Sequence, residues 1–507
     1  MLFNSFTFIG VFLPLCLLGW FLAKNLLGIR YALAWLVLAS LTFYGVWNPA
    51  YLLVLLTSVG VNFWLGGRIL QAKNAADEPA AKRWMMVGLG FNLLVLGGFK
   101  YAYFFASNLF AVWGELPPFS APILPLAISF VTFQKIAYLV DCRRGLVTRH
   151  NALDYLFFVS FFPQLIAGPI VHHRPLIAQT NVADNPLFKQ SEALIAGCSF
   201  FAIGLAKKVI LADSLARYAS PVFSAAQLSV PATDAAWQGM LAYSLQLYFD
   251  FSGYSDMAIG LALLFGFRLP INFLSPYQAS SMIEFWRRWH MTLSHFLRDY
   301  LYIPLGGNRQ GVWMRYRNLW LTMLIAGLWH GAGWTFLLWG GLHGAYLLIN
   351  HAWRYAKTQF STLEAVARLI PNWIMVGITF LFVALAWVLF RAPDLSTANH
   401  MLQALAQLPQ LIGDSTLPAP VWSSGGALLQ GFLAASSEMG WCWVGLGMAI
   451  VMFTPSTAKI LAYDAMPNQA YSLKVHFGFG IFIGTCAWLA LKWMAVRPAT
   501  EFLYFNF

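Results

Sequence analysis

The sequence predicts an all-α polytopic membrane protein, and three observations carry that prediction. Of its 507 residues, 59% are hydrophobic and only 10% are charged, whereas an ordinary soluble domain carries about 25% charged residues. So few charges cannot cover a water-facing surface of this size, which excludes a soluble enzyme and a disordered scaffold. Apolar runs of about 20 residues recur along the whole length, each long enough to cross a hydrocarbon core of ~30 Å. Basic residues, finally, alternate from loop to loop through the first third of the chain. The aromatic content of 17%, with 22 Trp and 20 Tyr, suits a chain with many interfacial belts.

Taken in order, the opening MLFNSFTFIGVFLPLCLLGWFL has no basic stretch and no small-residue cleavage pattern before Lys24. It reads as a retained first span, not a removed signal peptide. Spans are predicted over residues 6–23, 31–46, 51–66, 86–110, 122–140, 154–170, 192–213, 236–265, 318–337, 338–353, 372–391, 440–456 and 477–494. The total is roughly a dozen. Two stretches depart from simple spanning helices. Residues 162–175, FPQLIAGPIVHHRP, carry three prolines and a glycine that would break a helix at membrane depth. Residues 281–308 are too polar to face lipid and too aromatic for a free loop. Residues 393–440, rich in Ser, Ala, Leu and Pro, read as a surface loop with short helices and a natural docking place.

The net charge of +12 comes from 31 Lys+Arg against 19 Asp+Glu. In a membrane protein such an excess belongs to cytoplasmic loops and does not signal nucleic acid. Lys24 and Arg30 follow the first span, Arg68, Lys73, Lys82 and Arg83 the third, and Arg143, Arg144 and Arg149 the fifth. The loops near residues 47–49 and 114–122 carry no basic residue. This places the amino terminus outside and residues 68–85 in the cytoplasm. Cys16, Cys142, Cys198, Cys442 and Cys486 are scattered, which argues against a disulfide framework or a zinc site.

Ionisable residues within membrane segments are costly and mark cavities or functional sites. The informative ones fall mostly between Tyr248 and His343. In YFDFSGYSDMAIG, helical periodicity puts Ser252 with Asp256 on one face and Asp250 with Tyr254 on another, so the two carboxylates point apart. They bond between helices, or one of them orients a histidine on a neighbouring element. In IEFWRRWHMTLSHFLRDYLYIPLGGN, Glu284, Arg287 and Arg288 are spaced for ion pairing, and His290, Ser294 and Arg298 fall along one helical stripe. That is either an interfacial amphipathic helix or a cationic site for a phosphorylated, anionic acyl donor. In GLWHGAGWTFLLWGGLHGAY, His330 and His343 are thirteen positions apart and would point to different faces of one helix, which disfavours a shared metal site. Glycines beside them permit close packing or close approach of a substrate. No G-x-S-x-G elbow, P-loop, H-E-x-x-H or dinucleotide fingerprint occurs.

These passages, with FVTFQKIAYLVDCRRG, FFPQLIAGPI and the ending EFLYFNF, resemble the membrane-bound O-acyltransferase family, specifically the bacterial branch that contains the alginate O-acetylation membrane subunit. The resemblance implies one membrane domain over 1–507: a ring of helices around a tunnel, with amino-terminal spans over 1–140, a catalytic core over 141–353 and carboxy-terminal spans over 354–507. It implies that His330 in GLWHG is the family's invariant histidine and His290 in WRRWH its second active-site position, where many relatives have Asn. Asp250, Asp256, Arg288, Ser294 and Trp329 are the supporting substrate-binding candidates. The implied reaction moves an acetyl group from acetyl-CoA or another thioester, with no tightly bound cofactor and no metal, across the bacterial inner membrane. The implied partners are a periplasmic acetyltransferase, a polysaccharide acceptor and membrane lipids, with no nucleic acid.

The chemistry suits these residues. A hydroxyl is a weak nucleophile, and a neutral imidazole acting as general base is worth about 10²- to 10⁴-fold. A second histidine or an arginine supplies donors to the tetrahedral oxyanion. Alginate or a similar exopolysaccharide is the favoured acceptor. Peptidoglycan and cellulose also fit, and D-alanyl transfer to teichoic acid fits less well. Two readings from other classes remain, a proton-coupled transporter and a structural subunit of a secretion complex.

Overall fold

The computed structural model describes residues 2–181, 185, 187, 191–407, 426–463 and 477–503, the side chains of 426–437 excepted. The described residues form helices and no strand. In chain order the helices are α1 (Phe8–Leu26), α2 (Ile29–Gly45), α3 (Pro49–Asn74), α4 (Glu78–Ala111), α5 (Ile128–Arg144), α6 (Ala152–Ser160), α7 (His173–Ala178) and α8 (Ser191–Ala225). They continue as α9 (Thr233–Leu264), α10 (Met282–Arg288), α11 (Met291–Leu297), α12 (Val312–His330), α13 (Trp334–Gln359) and α14 (Ser361–Leu369). The last four are α15 (Asn372–Arg391), α16 (Leu395–Ala406), α17 (Gly426–Phe453) and α18 (Phe477–Val496). Six of them, α1, α3, α4, α8, α15 and α18, are long and apolar enough to cross a membrane. The fold is all-α and multi-pass, as the composition requires.

The described residues gather into two compact units. The first comprises Met1–Ala206, Gly253–Asn272 and Thr457–Phe507. Its helices start where the sequence supplies caps. Asn48 accepts from the Ala50 amide with Pro49 in the first turn of α3, and Asp77 accepts from the Ala80 amide at the start of α4. Asn151 caps α6 through the Leu153 and Asp154 amides. Gly145 closes α5 at φ +73°, a left-handed conformation that favours glycine. Within this unit, Gly204 approaches the chain so closely that a Cβ there would lie 2.5 Å from the Gly253 carbonyl oxygen. Small residues set that contact.

The predicted span over residues 154–170 is not one. α6 ends at Ser160, a single turn covers Phe162–Leu165, and the chain then runs without regular structure to α7. Pro163, Gly168 and Pro169 prevent a continuous helix. The freed backbone is buried in protein, where the Phe162 amide donates to Ser40 Oγ at 3.1 Å and Gln164 Nε2 donates to the Phe158 carbonyl at 2.6 Å.

The second unit comprises Lys207–Ser252 and Phe273–Ser456. Its centre is the antiparallel pair α12 and α13. The boundary predicted at residues 337–338 lies instead at Gly331–Gly333, where α12 stops at His330 and α13 starts at Trp334. Added Cβ atoms would come within 2.3 Å of the Phe336 carbonyl oxygen at Gly327 and within 2.4 Å of the Met323 carbonyl oxygen at Gly340. Only glycine permits this approach. Trp320 Nε1 donates to the Gly341 carbonyl at 3.1 Å and ties the two helices together. The surface loop expected over 393–440 contains α16, and α17 already begins at Gly426; residues 408–425 lie outside the described residues.

A Gly340→Val variant therefore forces α12 and α13 apart and lowers stability by about 1–3 kcal/mol, read as a drop in melting temperature in detergent. Gly445, which has nothing within 4 Å of an added Cβ, should accept alanine with no such drop. Equal melting temperatures for both variants would refute the tight pair.

Candidate active site

His290 and His330 both lie in the second unit, and both stand where a helix stops. α10 begins at Ser281, whose Oγ accepts from the Glu284 amide at 3.3 Å, while the Glu284 carboxylate accepts from the Ser280 amide at 2.8 Å and hydroxyl at 2.9 Å. Arg288 donates to Glu284 at 2.5 Å. Burial raises the Glu284 carboxyl, but the Ser280 and Arg288 interactions outweigh it and hold the group below its ordinary range. The helix ends at Arg288, and His290 then adopts φ +42°, ψ +53° before α11 begins. A left-handed conformation costs a non-glycine residue about 1–2 kcal/mol, and such residues cluster at functional sites.

The break falls before His290, so His290 is the N-cap of α11 and Ser294 follows one turn on, its amide donating to the His290 carbonyl at 3.1 Å, while Arg298, a further turn on, is exposed and paired with Asp299. The freed carbonyls are taken up locally. The Leu274 amide donates to the Arg288 carbonyl at 3.0 Å, and Ser294 Oγ donates to the Trp286 carbonyl at 3.2 Å. Ser294 thus holds the bend, and Arg288 is engaged with Glu284.

His330 is the last residue of α12, followed by Gly331 in an extended conformation at φ −156°. Its ring lies edge-on to Trp329 at 4.8 Å, Trp339 at 5.2 Å and Phe390 at 5.2 Å between centroids. The His290 ring is 4.8 Å from Phe251 and 6.4 Å from Trp329. Both imidazoles therefore border the Trp329 indole, one of the predicted supporting residues. Both are buried, His290 completely. Burial in this aromatic surrounding pushes the His290 imidazole down to about 3, so it is neutral at physiological pH.

The two carboxylates of the DFSGYSD run part company. Asp250 accepts from Lys208 Nζ at 2.7 Å, and Lys208 also reaches Asp213 at 2.9 Å. Asp256, in the first unit, accepts from Thr457 Oγ1 at 2.7 Å. Lys208 was missed in the sequence, although two adjacent lysines inside the apolar run over 192–213 were a visible signal. His343 is wholly buried against Trp286 at 5.2 Å and Trp339 at 4.8 Å. Neither ring nitrogen has a hydrogen-bond partner among the described residues. Trp339 thus touches both His330 and His343.

The profile of the membrane-bound O-acyltransferase family matches residues 2–390. The chain belongs to that family. It is 44% identical over 438 residues to a peptidoglycan O-acetyltransferase of Helicobacter pylori, covering 80% of each chain. It is 43% identical over 412 residues to a probable alginate O-acetylase of Pseudomonas aeruginosa, covering 80% of this chain and 75% of that one. A probable alginate O-acetylase of Azotobacter vinelandii is 44% identical over 424 residues, covering 82% and 79%. The protein is accordingly a multi-pass membrane O-acyltransferase, and it uses an acyl donor.

Within this O-acyltransferase the Lys208 cluster is a buried ion pair, with both Lys208 and Asp250 at 2% side-chain exposure. Removing one partner of such a pair costs about 3–5 kcal/mol, because the other charge is left uncompensated. Lys208→Met should lose most of its folded yield, and Lys208→Met combined with Asp250→Asn should recover part of it. A single variant as stable as the wild type, judged by melting in detergent, would show that the pair carries no structural weight.

Proposed function

We propose that this O-acyltransferase moves an acetyl group from a cytoplasmic thioester, such as acetyl-CoA, toward an envelope polysaccharide outside the bacterial inner membrane. The observation that carries the reading is the placement of two buried imidazoles against one indole in a water-poor aromatic surrounding. His330 acts as the general base. Its neutral nitrogen takes the proton of the acceptor hydroxyl as the hydroxyl oxygen bonds to the thioester carbonyl carbon. The tetrahedral intermediate then collapses, the carbon–sulfur bond breaks, and the sulfur leaves as a thiol with the proton returned by the imidazolium. His290, fixed by its left-handed backbone and neutral, donates a hydrogen bond to the developing oxyanion. Trp329 packs against both rings and helps to orient them.

Asp250, Ser294, Arg288 and Asp256 act at a distance from the transferred group. The first holds Lys208, the second and third hold the α10–α11 bend, and the fourth braces the first unit. Alginate or a similar exopolysaccharide is the preferred acceptor, supported by the motifs shared with the alginate branch. Peptidoglycan is the second reading, supported by the comparable identity to the Helicobacter pylori protein. A periplasmic acetyltransferase is the expected partner in either case. The basic loops on the cytoplasmic side support the sidedness of the donor.

His330→Ala should insert normally and abolish polymer O-acetylation, scored by mass analysis of envelope polymers from a complemented deletion strain. Near-normal acetylation would sink the assignment, and the acetylated polymer in the wild type names the acceptor. The histidine pair also separates by pH. With its pKa lowered to about 3, His290 stays neutral until pH falls toward that value. His290→Asn should therefore slow turnover by about 10²-fold or more without moving the acid limb of the pH–rate profile. Disappearance of that limb in the Asn variant would make His290 the titrating base instead.

A further inference from the structure

The first unit contains a second polar site that the acyl-transfer chemistry does not use. A pocket of about 270 Å³ is lined by Thr148, Arg149, His173, Arg174 and Asn181, with Ile177 among its apolar residues. None of the described residues that line it is acidic. His173 is 3% exposed, and its Nδ1 has no hydrogen-bond partner among the described residues. The ring is held in place by Tyr138, 5.2 Å away, and by Phe158, 5.3 Å away. Tyr138 is itself fixed by a 2.8 Å hydrogen bond between its hydroxyl and His150 Nδ1.

The surrounding charges sharpen the contrast. Arg30 pairs with Asp154 at 2.5 Å, Lys73 and Arg143 with Glu78 at 2.5 and 3.8 Å, and Arg144 with Asp141 at 3.9 Å. Asp154, Glu78 and Asp141 are thus committed to other bases. Arg149 and Arg174 form no ion pair among the described residues, although both border the cavity that the buried His173 also lines. Two guanidinium forks, an imidazole, a hydroxyl and a carboxamide form a donor set suited to a multiply charged oxyanion. The volume falls below the roughly 300–1,000 Å³ of pockets for drug-sized ligands, which fits one phosphate-sized head and not a whole nucleotide.

We propose that this pocket is a phosphate-recognition site on the cytoplasmic face of the enzyme. Two sources present that group there: the phosphates of a coenzyme-A-type thioester, an assignment that rests on the donor proposed above, and the headgroup of an anionic phospholipid. Either would be gripped by Arg149 and Arg174 and would bring an acceptor oxygen to His173 Nδ1.

The test uses the full-length protein in phosphatidylcholine nanodiscs, with and without phosphatidylglycerol. Binding of coenzyme A is compared with binding of pantetheine, which lacks the phosphates, in the wild type, Arg149→Ala/Arg174→Ala and the charge-preserving Arg149→Lys/Arg174→Lys. Retention of phosphatidylglycerol is read by native mass spectrometry. Coenzyme A binding that falls roughly tenfold or more in the alanine variant, falls less in the lysine variant and weakens with salt supports the site and assigns it to the donor. Unchanged coenzyme A binding with loss of retained phosphatidylglycerol supports it and assigns the headgroup. Wild-type behaviour of the alanine variant toward both probes overturns it. Acetyl transfer from acetyl-CoA is followed separately. Transfer by the wild type with neither probe affected refutes the pocket alone, whereas pocket-dependent binding without any transfer refutes the acetyl-CoA reading alone.

Discussion

A helix that stops inside an apolar surrounding exposes backbone carbonyls and amides that need partners, and the two histidines of the proposed site sit at such stops. The C-terminal end of α10 is closed by the Leu274 amide and the Ser294 hydroxyl, which occupy the Arg288 and Trp286 carbonyls. These bonds hold His290 in a conformation that an isolated chain would rarely adopt. At the other stop the constraint is steric. α12 and α13 meet through Gly327 and Gly340, so the turn between them must fit into Gly331–Gly333, and His330 is left at the end of the helix. The placement of both imidazoles is thus a consequence of backbone closure before it is a matter of side-chain chemistry.

The same economy governs the charges. A buried carboxylate is tolerable only when a cation or several donors accompany it. Asp250 has Lys208, and Asp256 has the Thr457 hydroxyl. For Asp250 that accounting is met by an ion pair within the second unit. His343 differs, being enclosed by aromatic rings with both nitrogens lacking hydrogen-bond partners among the described residues. A neutral imidazole in that position keeps one donor and one acceptor beside the indole that borders His330.

Much of this was legible from the sequence. Composition and run length point to an all-α membrane protein because continuous apolar runs near ~20 residues match a spanning helix and are about twice the length of a spanning strand. The break in FPQLIAGPI was announced by its prolines, and the divergence of Asp250 and Asp256 followed from helical periodicity. The break at His290 was not announced. WRRWHMTLS contains neither proline nor glycine, and the stop depends on Leu274 and Ser294 bonding to carbonyls, a tertiary effect that periodicity cannot see. The α12–α13 turn was misplaced for a related reason. Glycines mark both the turn and the packing face, and sequence alone does not distinguish the two uses. Lys208 was overlooked because it lies outside the histidine-bearing motifs, although its charge within an apolar run was signal enough.

An aromatic enclosure also bears on how the two histidines would divide the work in the proposed mechanism. Rings of Phe251, Trp329, Trp339 and Phe390 present apolar edges and faces, and they strengthen any electrostatic interaction within by excluding water. An imidazolium formed there is poorly solvated, so a base in such a place returns its proton quickly, which favours a short-lived tetrahedral intermediate. A residue whose backbone is locked suits a fixed hydrogen bond, because the developing oxyanion requires a donor already in position. The residue at a helix end followed by glycine suits proton transfer, where the acceptor hydroxyl and the leaving sulfur must be served in turn from slightly different positions. His290 has the first character and His330 the second, and the difference follows from how each helix ends.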